Sequence, residues 1–305
     1  FIMIGIIIAS VVGCNSGDGK KKVDLNDRVS DSELRSLSVQ QDEDVLVFGF
    51  QLRRSPQEEA RQYVTFLKYL ERSTDYKFAL HFTMEDGRIV DDLGKGVVQF
   101  AAVGAGSYLL AQEKYGVVLM ARGLNTQGRA EYRSVIVVAP HSPIQQIEDL
   151  RGKRFAFGSV VSTRGHLIPR ISLFQHGMTL KDLASHEYTG SHRNCAEAVV
   201  KGYVDAGGMQ DVLGMELEDA GIVRIIYTSE YYPSSGIAAN KDVPTEVLEK
   251  VKEALLDFQP NGRDSVGLYN WDKTEMPKGF VEAHDEDYME LSIRARKLGI
   301  IGDDK

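Results

Sequence analysis

From Val45 onward the chain alternates short, unbroken apolar runs with amphipathic segments, and this restricts the fold to a layered α/β architecture. Val45–Phe50 reads as a buried strand. Gln57–Leu70 reads as a helix with Ala60, Tyr63, Val64, Leu67 and Leu70 on one face. Phe78–Phe82, Val97–Val103, Gly116–Ala121 and Ser134–Val138 follow as strands, with helices over Ile89–Lys95 and Ser107–Tyr115. The second half repeats the logic. Arg154–Phe157, Ala184–Thr189 and Ile222–Thr228 are expected strands, Ser162–Gly177 an expected helix, and another helix begins in the Gly190–Cys195 segment. Val204–Asp211 reads as a strand opening into a helix. Continuous apolar strands of this kind predict mostly parallel sheets covered on both faces. Two such units predict two lobes of ordinary domain size.

The richest chemistry lies in Asp149-Leu-Arg-Gly-Lys-Arg-Phe-Ala-Phe-Gly-Ser-Val-Val-Ser-Thr-Arg-Gly-His-Leu-Ile-Pro169. A strand runs into a small-residue loop and then a helix whose first turn carries Ser162, Thr163 and Arg164. The unpaired N–H groups of a first helical turn carry partial positive charge and attract anions. Two hydroxyls add neutral donors and the arginine a fixed charge. The set suits a small oxyanion such as phosphate, phosphite or a phosphonate. A plain helix cap is the alternative reading of Ser162.

Phe1–Val12 is almost wholly apolar and too short to span a bilayer, which needs ~20 residues. It runs into Gly13-Cys14, so residues 1–13 read as a signal peptide and Cys14 as a lipidation site anchoring the chain to a membrane. Residues 14–43, rich in Gly, Ser, Lys and Asp, read as a flexible tether. The second of two cysteines, Cys195, sits in a helical pattern and reads as a small buried hydrophobe. The net charge of -8 argues against nucleic acid as a partner. No Gly-x-Ser-x-Gly motif marks a serine hydrolase. The seven histidines form no His-Glu-x-x-His pattern, so neither a catalytic nor a metal site is expected, and no cofactor.

Taken together, the blocks resemble the periplasmic substrate-binding proteins of phosphate/phosphite/phosphonate ABC importers. The resemblance rests on Phe48-Gly-Phe50 before Pro56, Tyr69-Leu70, Val103-Gly-Ala-Gly-Ser-Tyr108 with Ala111, and Tyr132–Val138. It continues through the 149–169 block, Gly190-Ser-His192, Gly202–Ala206, Trp271-Asp272, Asp287-Tyr288 and Lys297–Ile300. It implies a non-enzymatic protein with a type II periplasmic-binding fold, in which two α/β lobes joined by a two-strand hinge enclose a ligand cleft. Lobe 1 is expected over 44–138 plus 238–305 and lobe 2 over 139–237. The expected partners are a small oxyanion and an ABC permease in the inner membrane. The alternative is an exported lipoprotein that senses its ligand and signals to a membrane kinase.

The resemblance also implies roles for single residues. Ser162, Thr163 and His192 match donors to phosphoryl oxygens. Ser107 and Tyr108 match a first-lobe loop that closes over the ligand, with packing as the alternative for Tyr108. Asp211 falls near an acid that faces a ligand ammonium in aminoalkylphosphonate binders, or is a solvated helix-start acid. Gln51 lies at the expected cleft edge. Arg164 departs from the family pattern, which has a serine there, and is expected either to bind two ligand oxygens or to turn to solvent. A second family acid is replaced by Ser234 or Ser235.

Overall fold

The computed structural model describes residues 45–51, 55–83 and 88–302. Residues 1–44, including the expected signal segment, the tether and Cys14, lie outside the described residues.

The strands gather into two main sheets. The first is ordered β13-β4-β12-β3-β1-β2, with β1 Val45–Gln51, β2 Lys77–Thr83, β3 Phe100–Val103, β4 Val118–Gly123, β12 Gly236–Ala239 and β13 Phe280–Glu282. The second is ordered β10-β6-β9-β7-β8, with β6 Ser134–Val138, β7 Arg154–Phe157, β8 Ser185–Tyr188, β9 Ala206–Gln210 and β10 Arg224–Thr228. Between them β5 Glu131–Tyr132 pairs with β11 Tyr232–Pro233, where the chain crosses from one sheet to the other and back.

The crossings decide strand direction. β1 pairs with β2 and β3, and β7 with β8 and β9, all parallel. A strand arriving from the other lobe enters from the opposite end, so β12 runs antiparallel to β3 and β4, and β6 antiparallel to β9 and β10. The sheets are therefore mixed rather than mostly parallel. The same pairing corrects the expected lobe boundary at 138. β6 hydrogen-bonds along its whole length with β9, so the first crossing precedes Ser134.

Helices cover the faces as the apolar stripes require. α1, Pro56–Thr74, is capped by Ser55, whose hydroxyl accepts the Glu58 N–H. It buries Tyr63, Phe66, Leu67 and Leu70 against the first sheet. An aromatic cluster fills that interface: Phe50 stacks on Tyr63 at 3.8 Å between centroids, and Phe66 meets both Trp271 and Phe258 at 5.2 Å. Each such ring contributes about 1.5–3 kcal/mol by leaving water. α2, Arg88–Gly94, and α3, Ala105–Tyr115, pack on the opposite face with β3. In the second lobe α4, Ile168–Gln175, and α5, His192–Val200, flank a sheet whose core includes Ile136, Phe155 and Val199. α6, Asp211–Asp219, follows β9 directly. α7, Thr245–Asp257, and α8, Met289–Lys297, complete the first lobe. Leu167, Ile168 and Ile171 join the first-lobe cluster of Val103, Ala105 and Leu109, so the two lobes share buried apolar surface. Among the described residues no helix is long and apolar enough to cross a membrane.

Candidate functional site: hydroxyls, a histidine and paired charges at the junction of the lobes

The carboxyl ends of the parallel strands in both sheets release the segments singled out from sequence, at the place where open α/β sheets bind ligands. β3 ends at Val103, Gly104 is the N-cap, and α3 begins at Ala105. β7 ends in the loop that leads to Ser162. β8 runs into Gly190-Ser191 and then α5, and β9 runs into Asp211.

Ser162 caps the following turn, its Oγ accepting the Gly165 N–H at 2.9 Å. The expected helix begins as a π turn over Thr163–Leu167, with Leu167 N–H donating to Ser162 O at 3.0 Å. The cause is Pro169. It has no N–H to give Gly165 O, which instead accepts the Gly158 N–H at 2.8 Å and ties the turn to the end of β7. π turns of this kind recur at functional sites. Because the Ser162 oxygen accepts from a backbone N–H, its own proton stays available for donation. Capping and ligand donation are thus compatible.

Thr163 is buried at the junction of the lobes. Its Oγ1 accepts the Gly106 N–H from the first turn of α3 at 2.8 Å. It is also in hydrogen-bond contact with the Tyr132 hydroxyl, which accepts the Ala105 N–H at 3.4 Å. Burial pushes the Tyr132 phenol up to about 12, so it stays protonated. Thr163 and Tyr132 hold two hydroxyl protons and need one for their mutual bond, leaving one to donate. A Cβ on Gly106 would lie 3.3 Å from Val161 O and 3.4 Å from Thr163 Oγ1, so the bare glycine permits this approach.

His192 opens α5 directly after its cap, Ser191. Its Nδ1 accepts the Gln210 N–H at 3.3 Å, which places the proton of the neutral ring on Nε2 as a donor. A Cβ on Gly165 would lie 3.0 Å from Ser162 Oγ and 3.1 Å from His192 Cε1. Ser162 and His192 therefore converge on one point of the turn, where a side chain larger than glycine's would push on both.

Arg164 does not take the solvent-facing alternative. It is 7% exposed, so it is not in solvent. Its guanidinium is already occupied: Nη2 donates to Glu275 Oε1 at 2.5 Å, and Nη1 lies 3.5 Å from Asp211 Oδ1. It also rests over the Tyr132 ring at 4.8 Å. Glu275 accepts the Ser235 hydroxyl at its other oxygen. Asp211 also faces Arg133 Nε at 3.9 Å. Two carboxylates and two guanidiniums thus balance. Asp211 is accordingly an ion-pair partner rather than a solvated acid. Beside the Ser234-Ser235 segment stands an acid that was not expected there, Glu275, brought in from a distant segment. Sequence reading missed it because 271–279 is irregular and carries no strand or helix pattern around Glu275.

The remaining expectations divide. Ser107 is buried, with its hydroxyl donating to Val161 O across the lobes at 3.4 Å. Tyr108 takes the packing alternative: its ring lies 5.1 Å from Tyr288 and its hydroxyl donates to Asp285, with burial raising the phenol's pKa far above normal. Gln51 ends β1 half-buried, and none of the contacts above involves it. Cys195 is fully buried, and burial pushes its thiol up to about 12, as a structural cysteine requires.

Comparison with known proteins adds independent findings. The sequence profile of the family described as ABC transporter, phosphonate, periplasmic substrate-binding protein matches residues 48–288. The chain is 23% identical over 234 residues to the phosphonates-binding periplasmic protein of Escherichia coli K12, covering 74% of this chain and 69% of that one. It is 26% identical over 210 residues to the phosphate-import protein PhnD of Mycolicibacterium smegmatis, covering 62% of this chain and 64% of that one. In structure it resembles PhnD1 of Prochlorococcus marinus, solved in complex with methylphosphonate. The TM-score is 0.73 at 20% identity, over 85% of this chain and 99% of that one. The structural likeness bears out the expected two-lobed periplasmic-binding fold.

Proposed function

The chain belongs to the family of ABC-transporter periplasmic phosphonate-binding proteins, a non-enzymatic family, and from that premise we propose that it captures a small phosphorus oxyanion in the cleft between its lobes. The ligand is a phosphonate, phosphite or phosphate. The observation that carries the reading is the convergence of Ser162 and His192 on Gly165, beside Thr163 and the N-terminus of α3 from the other lobe.

The chemistry follows from the donors. The hydroxyl proton of Ser162 and the Nε2–H of His192 supply neutral hydrogen bonds, and the first turns at Thr163 and His192 add backbone dipoles that favour negative charge. Neutral donors suit a ligand that must be released again, because they bind the anion without a buried counter-charge. Arg164 is not part of this cradle. Tyr132, in β5 at the crossing, touches both Thr163 and the start of α3 and so ties the two lobes together beside the cradle.

The same proposal places the protein outside the cytoplasmic membrane, anchored through lipid on Cys14 and delivering its ligand to an inner-membrane permease. The apolar run ending in Gly13-Cys14 supports the anchor. Isothermal calorimetry with phosphate, phosphite and methylphosphonate tests the ligand class, with an amino acid and a sugar as controls. Saturable heat with at least one phosphorus oxyanion is expected. Heat only with a control overturns the reading.

A further inference from the structure

We infer that Arg164 is a specificity residue: its guanidinium is a built-in cation that fills the charged part of the cleft and excludes ligands carrying an ammonium group. The inference rests on the oxyanion reading above and goes beyond it by naming which substituents are rejected.

The geometry is that of a bound cation. The Arg164 side chain is 8% exposed and lies between two carboxylates that are themselves largely buried, Asp211 at 16% and Glu275 at 14%. One carboxylate comes from each lobe: Asp211 follows β9 of the second sheet, and Glu275 stands five residues before β13 of the first. The face of Tyr132 lies beneath the guanidinium at 4.8 Å, the position an aromatic ring offers a cation. Two acids and an aromatic face are the groups that would hold an alkylammonium, and the protein's own arginine occupies them.

The charges leave no room for a second cation. Glu275 is saturated by Arg164 and Ser235. Asp211 Oδ2 faces Arg133. Asp211 Oδ1 makes no hydrogen bond but lies 3.5 Å from Arg164 Nη1, so an ammonium seeking it would meet like charge at close range. Removing the guanidinium reverses the situation: it leaves two buried carboxylates short of one counter-charge, with a cavity between them.

The test compares ethylphosphonate with 2-aminoethylphosphonate, which differ by the ammonium alone, in the wild type and in Arg164→Ala. The wild type is expected to favour ethylphosphonate. In Arg164→Ala the ratio should move towards the amine by roughly tenfold or more, the worth of a charge-assisted hydrogen bond in a desolvated site. Arg164→Lys keeps a cation in place and should retain the wild-type preference. If Arg164→Ala does not fold, Arg164→Ala/Glu275→Gln restores the charge balance and should still shift the ratio towards the amine, by a smaller factor. An unchanged ratio in the folded variant overturns the inference, as does a wild type that binds both compounds equally. A wild type that binds ethylphosphonate, phosphate, phosphite and methylphosphonate not at all overturns instead the oxyanion reading on which it rests.

Discussion

His166 gives the sharpest quantitative test of the structure beneath the Ser162 turn. It is 3% exposed, its Nδ1 donates to Val160 O at 2.5 Å, and its Nε2 accepts the Tyr188 hydroxyl at 3.1 Å. Burial lowers its pKa from 6.5 to about 4; Arg170 and His186 add to the effect, and the Val160 bond opposes it. The unfolded chain therefore takes up this proton at a higher pH than the folded protein does. The stabilisation is complete above pH 6.5 and declines as the pH falls, by up to ~1.4 kcal/mol per pH unit. About 3 kcal/mol in all is lost by the time the pH reaches the folded value. Replacing the ring by a neutral amide, His166→Asn, removes this titration while keeping a nitrogen near Val160 O. Urea denaturation followed by fluorescence of the single tryptophan, Trp271, buried in the first lobe, measures stability of both proteins from pH 4 to 8. The difference between them should shrink towards acid, with the wild type losing about 3 kcal/mol more than the variant. Parallel curves from pH 6.5 to 4 would refute a neutral, buried His166 bridging the 160 loop to β8.

Ser162→Ala removes a cap together with the proposed ligand donor, so it should cost roughly 1 kcal/mol of stability and lower oxyanion affinity as well, read by denaturation and calorimetry on the same sample. Gly165→Ala places a methyl 3.0–3.1 Å from Ser162, Gly158 and His192, so it should weaken oxyanion binding while leaving the fold intact by circular dichroism. Cys195, held fully buried with its thiol pKa at about 12, should resist iodoacetamide in the native protein and react in denaturant; peptide mapping that finds rapid native alkylation would contradict its placement. Saturating ligand should compact the protein through the two crossings at β5 and β11, seen as a smaller radius of gyration in solution scattering; identical curves with and without ligand would count against hinge closure.

The elements were legible in the sequence wherever burial was periodic. β6 and β7 fall where their apolar runs end, and the stripe along α1 faces the sheet. Strand direction was not legible, because β12 and β6 are as apolar as the parallel strands beside them, and only the path of the chain between lobes sets their polarity. The candidate turns were legible where they are built from local structure: Ser162 and His192 sit at strand-to-helix turns whose small and polar residues announce a cap. The charged half was not. Arg164 pairs with Glu275 at a separation of 111 residues, and nothing in either neighbourhood reports the other. Tyr132 entered the sequence reading only as the start of a block of the family resemblance, and its hydroxyl acquired a role only when folding brought it to Ala105 and Thr163. Tyr108, for which the sequence left a ligand-loop role and packing both open, has its hydroxyl on Asp285 and its ring against Tyr288, partners far away in the chain.

The measurement that bears most directly on the account is a crystal structure of the protein with methylphosphonate. The account predicts a phosphonate group whose oxygens accept hydrogen bonds from the Ser162 hydroxyl and His192 Nε2, with Arg164 still paired to Glu275. A phosphonate held instead by the Arg164 guanidinium, with Glu275 displaced, or one bound away from the Ser162 turn, would contradict it.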